Sequence, residues 1–310
     1  MDKNTIRIGT RGSQLALYQA KRTQKELAEK FPELSVEIKI IKTKGDKILD
    51  VALSKIGDKG LFTKEIENAL LAGTVDIAVH SLKDLPTVLP EGLKLGAVLE
   101  RGEYRDALVS KDGRKLTELT PDDTIATSSL RRKAGLLKIN KDFKIVDIRG
   151  NVNTRLRKME EGHCDAMIMA AAGLQRLELD KYITEILEPD VLIPATSQGV
   201  IAIESRTEDA RIDEYLKEIN HATTWIAIEA ERSFLHTIEG GCQVPVGCFT
   251  HFEKDKFKIT GFVASVDGTQ FLIDEEKGTV ENAHETGEKL AHKLREKGAA
   301  KILATIRKHS

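Results

Sequence analysis

The chain has 310 residues, and its 48 basic and 49 acidic side chains give a formal charge of −1, so no overall field draws it to nucleic acid or an anionic membrane. The length suggests two or three domains, the start Met1-Asp2-Lys3-Asn4-Thr5-Ile6-Arg7 lacks an apolar leader core, and no apolar run is long enough to span a bilayer. Cys164, Cys242 and Cys248 have neither metal-ligand spacing nor a disulfide framework, and the expectation is a reduced, cytoplasmic protein.

In chain order, β-rich runs at 6–10, 36–41, 76–80, 124–127, 144–148 and 166–170 predict strands. Between them, helical spacing covers 13–29, 63–72, 129–139, 152–161 and 172–179. Such alternation predicts α/β domains with helices over a mostly parallel or mixed sheet. The last stretch differs, with a helix around 225–238, strands near 256–265 and 270–274, and a helix from about 281 to 297. It reads as a separate, smaller α+β domain. No internal repeat is visible. The Lys- and Gly-rich segment 42–60 holds no sustained face, and a loop of that length is a lid or a mobile surface segment. Lys55 and Lys59 would suit a lid over an anion.

Arginines recur where a strand gives way to a helix. Thr10-Arg11-Gly12-Ser13 closes the first strand, Thr127-Ser128-Ser129-Leu130-Arg131-Arg132 follows another, and Asp147-Ile148-Arg149-Gly150-Asn151 a third, with Arg155 one turn into the next helix. Helix N-termini present unpaired N–H groups and partial positive charge, and Arg adds forked bonds suited to carboxylates. Ser13, Ser128 and Ser129 can cap helices or donate to a ligand oxygen. A single such arginine would be an ordinary surface charge, but the recurrence favours a ligand. No phosphate-loop or dinucleotide fingerprint is present, so a small molecule with several carboxylates fits best.

Asp76-Ile77-Ala78-Val79-His80-Ser81-Leu82-Lys83-Asp84-Leu85-Pro86 is an apolar strand ending in a polar turn. Asp84 is either a turn former or the one negative group in a cationic site, suited to stabilising a transient cation and moving protons. His80 reads as a structural hydrogen-bonder, since no second ligand stands at metal-binding spacing. In Glu239-Gly240-Gly241-Cys242-Gln243-Val244-Pro245, two glycines leave a thiol on bare backbone that a large group can approach. Cys248 reads as core.

The blocks His80-Ser81-Leu82-Lys83-Asp84-Leu85-Pro86, Thr127-Ser128-Ser129-Leu130-Arg131-Arg132, Arg149-Gly150-Asn151-Val152-Asn153-Thr154-Arg155-Leu156 and Glu239-Gly240-Gly241-Cys242-Gln243-Val244-Pro245 resemble, in order, the signatures of the porphobilinogen deaminase (hydroxymethylbilane synthase) family. The resemblance runs from Arg7-Ile8-Gly9-Thr10-Arg11 to the last domain. It implies two α/β domains like the halves of type II periplasmic binding proteins, closing over a cleft, plus a smaller C-terminal α+β domain. The implied boundaries are 1–99 plus about 200–217, 100–199, and 218–310.

The resemblance also implies a transferase of tetrapyrrole (haem) biosynthesis. Four porphobilinogen molecules are joined head to tail with loss of ammonia, and linear hydroxymethylbilane is then released by hydrolysis. The implied cofactor is a dipyrromethane in thioether linkage to Cys242, with no metal. Arg11, Arg131, Arg132, Arg149, Arg155 and Arg176 match carboxylate-binding positions, supported by Ser13, Ser81, Lys83, Thr127, Ser128 and Ser129. Asp84 matches the catalytic carboxylate. The implied partner is the substrate alone, without nucleic acid or membrane, acting on a monomer.

One departure stands out: Pro194-Ala195-Thr196-Ser197-Gln198-Gly199 carries Ser197 where the family often has Gly, which would permit positive φ. Two other classes compete. A non-catalytic organic-anion carrier would leave Cys242 and Asp84 unexplained. A cysteine-nucleophile acyl transferase would want a His base, for which His236 and His251 are weak candidates.

Overall fold

A computed structural model of the chain describes residues 4–47, 60–238 and 244–308. In order, it contains β1 (Thr5–Thr10), α1 (Gln14–Lys30), β2 (Ser35–Ile40), the single turn α2 (Lys44–Lys47), α3 (Lys64–Leu71), β3 (Ile77–Ser81) and β4 (Leu93–Val98). Next come β5 (Asp106–Ser110), β6 (Thr124–Ala126), α4 (Leu130–Ile139), β7 (Lys144–Val146), α5 (Val152–Glu160), β8 (Ala166–Ala170), α6 (Ala171–Gln175) and β9 (Glu185–Leu187). The rest is β10 (Ile201–Arg206), α7 (Ala210–Ile219), α8 (Ala222–Thr237), β11 (Val246–Glu253), β12 (Lys256–Ala264), β13 (Phe271–Thr279), α9 (Ala283–Glu296) and α10 (Ala299–Lys308).

Among the described residues, one compact unit comprises 4–47, 60–102 and 199–225, and the other 103–198, 226–238 and 244–308. The first unit is built on a five-stranded sheet ordered β2-β1-β3-β10-β4. β1 runs parallel to β2 and β3, while β10 is antiparallel to both β3 and β4. β3, apolar from Ile77 to Val79, is central and buried along most of its length, as parallel strands covered on both faces are. β2 alternates and lies on the edge, exposing Glu37 and Lys39 along the solvated rim. Ile6, Ile8, Ile77, Val79, Ile201 and Ile203 meet Ala20 and Leu27 of α1 and Ile212 and Leu216 of α7 on one face. Ile66 and Leu70 of α3 cover the other.

The second unit repeats this plan with unrelated side chains. Its sheet is ordered β7-β6-β8-β5-β9, again a parallel trio extended on one side by two strands in successive antiparallel pairings, β8 with β5 and β5 with β9. Even a detail recurs. Asp76, just before β3, accepts from the Arg7 amide of β1 at 2.8 Å, and Asp165, just before β8, accepts from the Thr124 amide of β6 at 2.8 Å. The same unit carries the antiparallel sheet β11-β12-β13, backed by α8, α9 and α10 around Phe234, Phe257, Ile259, Leu290 and Leu294. That sheet docks on α4 through Ala134, Ile193, Phe262 and Ala264, with Phe262 stacked on Phe271 at 4.6 Å.

The fold is therefore the expected mixed α/β class, with two sheet-centred α/β parts and a smaller α+β part. The predicted helix 172–179 is only α6, because Glu178 takes φ 57° and the chain turns there into a 3-10 turn at Asp180–Tyr182. Ser197 does adopt positive φ, 60°, where a glycine would be at ease.

Candidate active site

In the first unit, β1 empties into α1, whose N-cap is Ser13: its hydroxyl accepts from the Ala16 amide at 3.3 Å. Arg11 lies beside this cap with its guanidinium 4.2 Å above the Phe62 ring, a cation–π contact absent from the sequence reading. At the corresponding end of β3, Leu82–Asp84 forms a 3-10 turn. Buried Leu82 and Leu85 clamp it, and the Leu82 amide donates to Val200 O at 3.0 Å. Asp84 is thereby presented to solvent on a fixed turn. Ser81 is oriented by the buried Gln19, whose amide donates to its hydroxyl at 2.7 Å. The spacing of Gln19 on the apolar face of α1 marks it as buried, but nothing in the sequence pairs it with Ser81. His80 is buried against Glu204, 3.1 Å away, in the structural role its position suggested.

In the second unit, the turn after β6 is held by its own hydroxyls. Buried Thr127 accepts from the Ser129 amide at 3.2 Å, and Ser129 caps α4 by accepting from the Arg132 amide at 3.4 Å. Ser128 is not a cap. Its hydroxyl donates to Ile148 O at 2.9 Å and accepts from the Ile148 amide at 3.0 Å, tying this turn to the one after β7. There Asn151 caps α5 by accepting from Thr154 N at 2.9 Å, a cap the sequence reading did not single out. Gly150 takes φ 116°, where an added Cβ would lie 2.6 Å from Thr154, so the turn requires glycine. Arg155 Nε donates back to Gly150 O at 2.8 Å, and Arg176 ends α6 as its C-cap.

None of the first turns of α1, α4 and α5 carries an acidic residue, which is true also of α6, α8 and α10, whereas those of α3, α7 and α9 do. Asp and Glu ordinarily stabilise helix N-termini, so leaving α1, α4 and α5 without them keeps their positive ends open to an anion. Arg131 and Arg132, in the first turn of α4, are buried. Both pair with the fully buried Asp106, at 2.8 Å from Arg131 Nη2 and 2.7 Å from Arg132 Nη2. Burial alone would raise the Asp106 carboxyl. The charges of Arg131 and Arg132, with hydrogen bonds from Arg132 and Gln198, outweigh it and hold the group well below the usual carboxylate range. Asp106 had no motif to reveal it. Arg149 Nη1 is buried with no hydrogen-bond partner among the described residues.

Cys242, Lys55 and Lys59 lie outside the described residues. The other two cysteines are core: Cys248 is fully buried beside Thr196, and burial pushes the Cys164 thiol up to about 11. His236 and His251 are exposed. Among the described residues no helix is long and apolar enough to cross a membrane, and no cluster of three or more His, Cys, Asp or Glu could hold a metal.

Each unit holds an α/β sheet whose strand ends lead into capped helix starts with arginines beside them, which places the chain in the class of sheet-centred α/β proteins. Comparison with known proteins narrows the class. The family model "porphobilinogen deaminase, dipyromethane cofactor binding domain" matches residues 6–214, and "porphobilinogen deaminase, C-terminal domain" matches 225–296. The chain is 48% identical over 309 residues to the porphobilinogen deaminase of Chlorobaculum tepidum, covering 99% of each chain. It is 49% identical over 306 residues to that of Carboxydothermus hydrogenoformans, covering 99% of this chain and 98% of that one. Among solved structures, the periplasmic VFT2 domain of Bordetella pertussis BvgS aligns with a TM-score of 0.42 and 13% identity, over 70% of this chain and 87% of that one. The chain belongs to the porphobilinogen deaminase family and is an enzyme.

Proposed function

We propose that the protein is a porphobilinogen deaminase acting as a transferase: it joins four porphobilinogen molecules head to tail, releases ammonia at each coupling and hydrolyses off hydroxymethylbilane. A dipyrromethane, held by a thioether to Cys242, would supply the growing end as a nucleophilic pyrrole carbon. The residues described above suit such a group, because each ring brings two carboxylates. The open Arg149 donor and the buried Arg131–Arg132 pair, with one counter-charge between them, are built to receive anions.

The observation that carries this reading is the approach of β11 to the arginines. An added Cβ on Gly247 would lie 2.9 Å from Arg131 Cδ and 2.4 Å from Pro194 O, so only glycine permits the contact. Cys242 precedes Gly247 by five residues, and five residues of chain reach at most about 18 Å. Such a tether would keep a group on Cys242 within reach of the α4 arginines, which supports the reading.

The remaining roles follow from charge. Arg11, Arg131, Arg132, Arg149, Arg155 and Arg176 hold acetate and propionate arms, with Ser13, Ser81, Lys83, Thr127 and Ser129 orienting them. Ser128 acts by fixing the turn. Asp84 meets the cation left when the aminomethyl carbon–nitrogen bond of porphobilinogen breaks and ammonia departs. Once the new carbon–carbon bond has formed, Asp84 accepts or relays the proton that leaves. Lys55 and Lys59 would suit a lid over the bound anion. No metal is needed, and the protein acts as a cytoplasmic monomer.

Intact-mass measurement tests the assignment. Purified protein should exceed its sequence mass by two porphobilinogen units less two ammonia, with the excess mapping to Cys242 and lost in Cys242→Ser. Excess mass on Cys164 or Cys248, or none in active protein, would overturn it.

A further inference from the structure

Asp106 opens β5, and its side chain meets Arg131, Arg132 and Gln198. Its Oδ1 accepts from Arg132 Nη2 at 2.7 Å, Arg132 Nε at 3.1 Å and Gln198 Nε2 at 3.0 Å, while Oδ2 pairs with Arg131 Nη2 at 2.8 Å. Each guanidinium is then pinned at a second point: Arg131 Nη1 donates to Ile193 O at 2.6 Å and Arg132 Nη1 to Ile168 O at 3.0 Å. Gln198 is itself fixed, donating to Tyr104 O at 2.8 Å.

Two buried guanidiniums facing one carboxylate leave one positive charge over. The side chains of Arg131 and Arg132 are only 5% and 8% exposed, so water does little to screen it. Both residues also sit in the first turn of α4, where the helix dipole disfavours cations. Burial pushes the Arg131 guanidinium down from its ordinary value, and the Arg132 charge adds to that against the pull of Asp106. Stability alone would be better served by apolar residues of similar volume. The arrangement makes sense if a single anion completes it.

We propose that Asp106, braced by Gln198, is a positioning residue that locks Arg131 and Arg132 into one receptor for a single carboxylate of the cofactor or substrate. Asp106 cancels one of the two charges, prevents the guanidiniums from repelling each other and sets the spacing of their free N–H groups. The two arginines act as one site with one net charge rather than as two independent binders. The proposal rests on the reading that these arginines hold carboxylates.

The test is reconstitution of apo-protein with porphobilinogen, followed by intact mass as a function of porphobilinogen concentration. Asp106→Asn should raise the concentration for half-maximal cofactor assembly by about tenfold or more, the scale of losing a charge-assisted contact. Asp106→Glu, which keeps the charge, should recover part of the loss. Gln198→Ala leaves all three charges in place and should shift the same concentration by a smaller factor, with circular dichroism unchanged. If a folded Asp106→Asn protein assembles at the wild-type concentration, or Glu is no better than Asn, the proposal is wrong. If Asp106→Asn does not fold, Gln198→Ala decides: an unshifted curve, or loss of fold there too, assigns Asp106 a purely structural role. Failure of the wild type to gain mass at all would instead overturn the Cys242 reading.

Discussion

The Ser197 amide donates to the carboxylate of Glu231 at 2.7 Å while Ser197 itself holds φ at 60°. Glu231 is fully buried in α8, and its other oxygen accepts from the Thr250 amide of β11 at 2.9 Å. One carboxylate therefore joins the Pro194–Gly199 segment, α8 and β11. The Ser197 hydroxyl gains nothing from this, being buried with no hydrogen-bond partner among the described residues.

Ser197→Gly should stabilise the protein. Left-handed backbone costs a non-glycine residue roughly 1–2 kcal/mol, and glycine gives back about 0.4–1 kcal/mol through the entropy of the unfolded chain. Removing the unpaired hydroxyl adds to the gain. The net should be about 0.5–1 kcal/mol, read as a higher urea midpoint at unchanged slope. A lower midpoint would show that the hydroxyl has a partner this account lacks.

Glu231→Ala should be far more harmful, since it strands two buried N–H groups. The expected loss is about 2–5 kcal/mol by chemical denaturation. Glu231→Gln keeps one acceptor and should cost less. Equal losses in the two variants would mean that packing rather than hydrogen bonding makes this residue important.

Acid should weaken the fold in a defined window. Burial would raise the Asp76 carboxyl, but hydrogen bonds from the Arg7 side chain and amide and the charge of Arg7 outweigh it, and its folded value lies below normal. Asp106 behaves likewise. Depressed acids contribute stability that is present above the unfolded value, about 3.9, and is lost as pH falls through the folded value. Glu67, raised chiefly by burial, works the other way, favouring the fold in acid and losing that contribution as pH rises. The urea midpoint should be nearly flat from pH 7 to 5 and fall below about pH 4, and Asp76→Asn should shrink that fall. An unchanged acid limb in Asp76→Asn would remove Asp76 from this role.

Thiol accessibility should separate the cysteines. Burial keeps Cys164 protonated at neutral pH, because its thiol titrates only near 11, and Cys248 is sealed in the core. Native protein treated with iodoacetamide at pH 8 should show no modification of either by peptide mapping, and both should react in urea. Labelling of Cys248 in native protein would contradict the packing described here.

The two readings of Asp84 diverge under one change. A turn former survives Asp84→Asn, since Asn serves turns equally well, whereas an electrostatic stabiliser does not. Turnover of cofactor-loaded protein should fall by about 10²–10³-fold in Asp84→Asn, with Asp84→Glu in between. Near-normal turnover in Asp84→Asn would place the catalytic carboxylate elsewhere.

Local chemistry made part of this molecule legible in its residues. Ser13 and Ser129 are caps because a hydroxyl before an apolar-periodic run has orphan amides to satisfy, and those signals lie within four residues. The parallel strands β1, β3, β6 and β8 were readable for a similar reason, as short apolar runs, two of which, β1 and β6, lead into a capped helix. The antiparallel strands β4, β5, β9 and β10 were not. Ile201–Arg206 carries Glu204 at a fully buried position, which is tolerable only because His80 arrives from β3 across the sheet. Asp106 is the same case in the second unit: an ordinary acidic residue 25 positions from Arg131, with no local pattern to mark it. The shared topology of the two sheets was equally hidden, because strand order is imposed by burial and pairing, which many unrelated side chains satisfy. Residue type and spacing can specify caps, turns and which groups carry charge. Whether an arginine meets a ligand, a carboxylate or both depends on contacts between distant segments, and only the folded chain creates those.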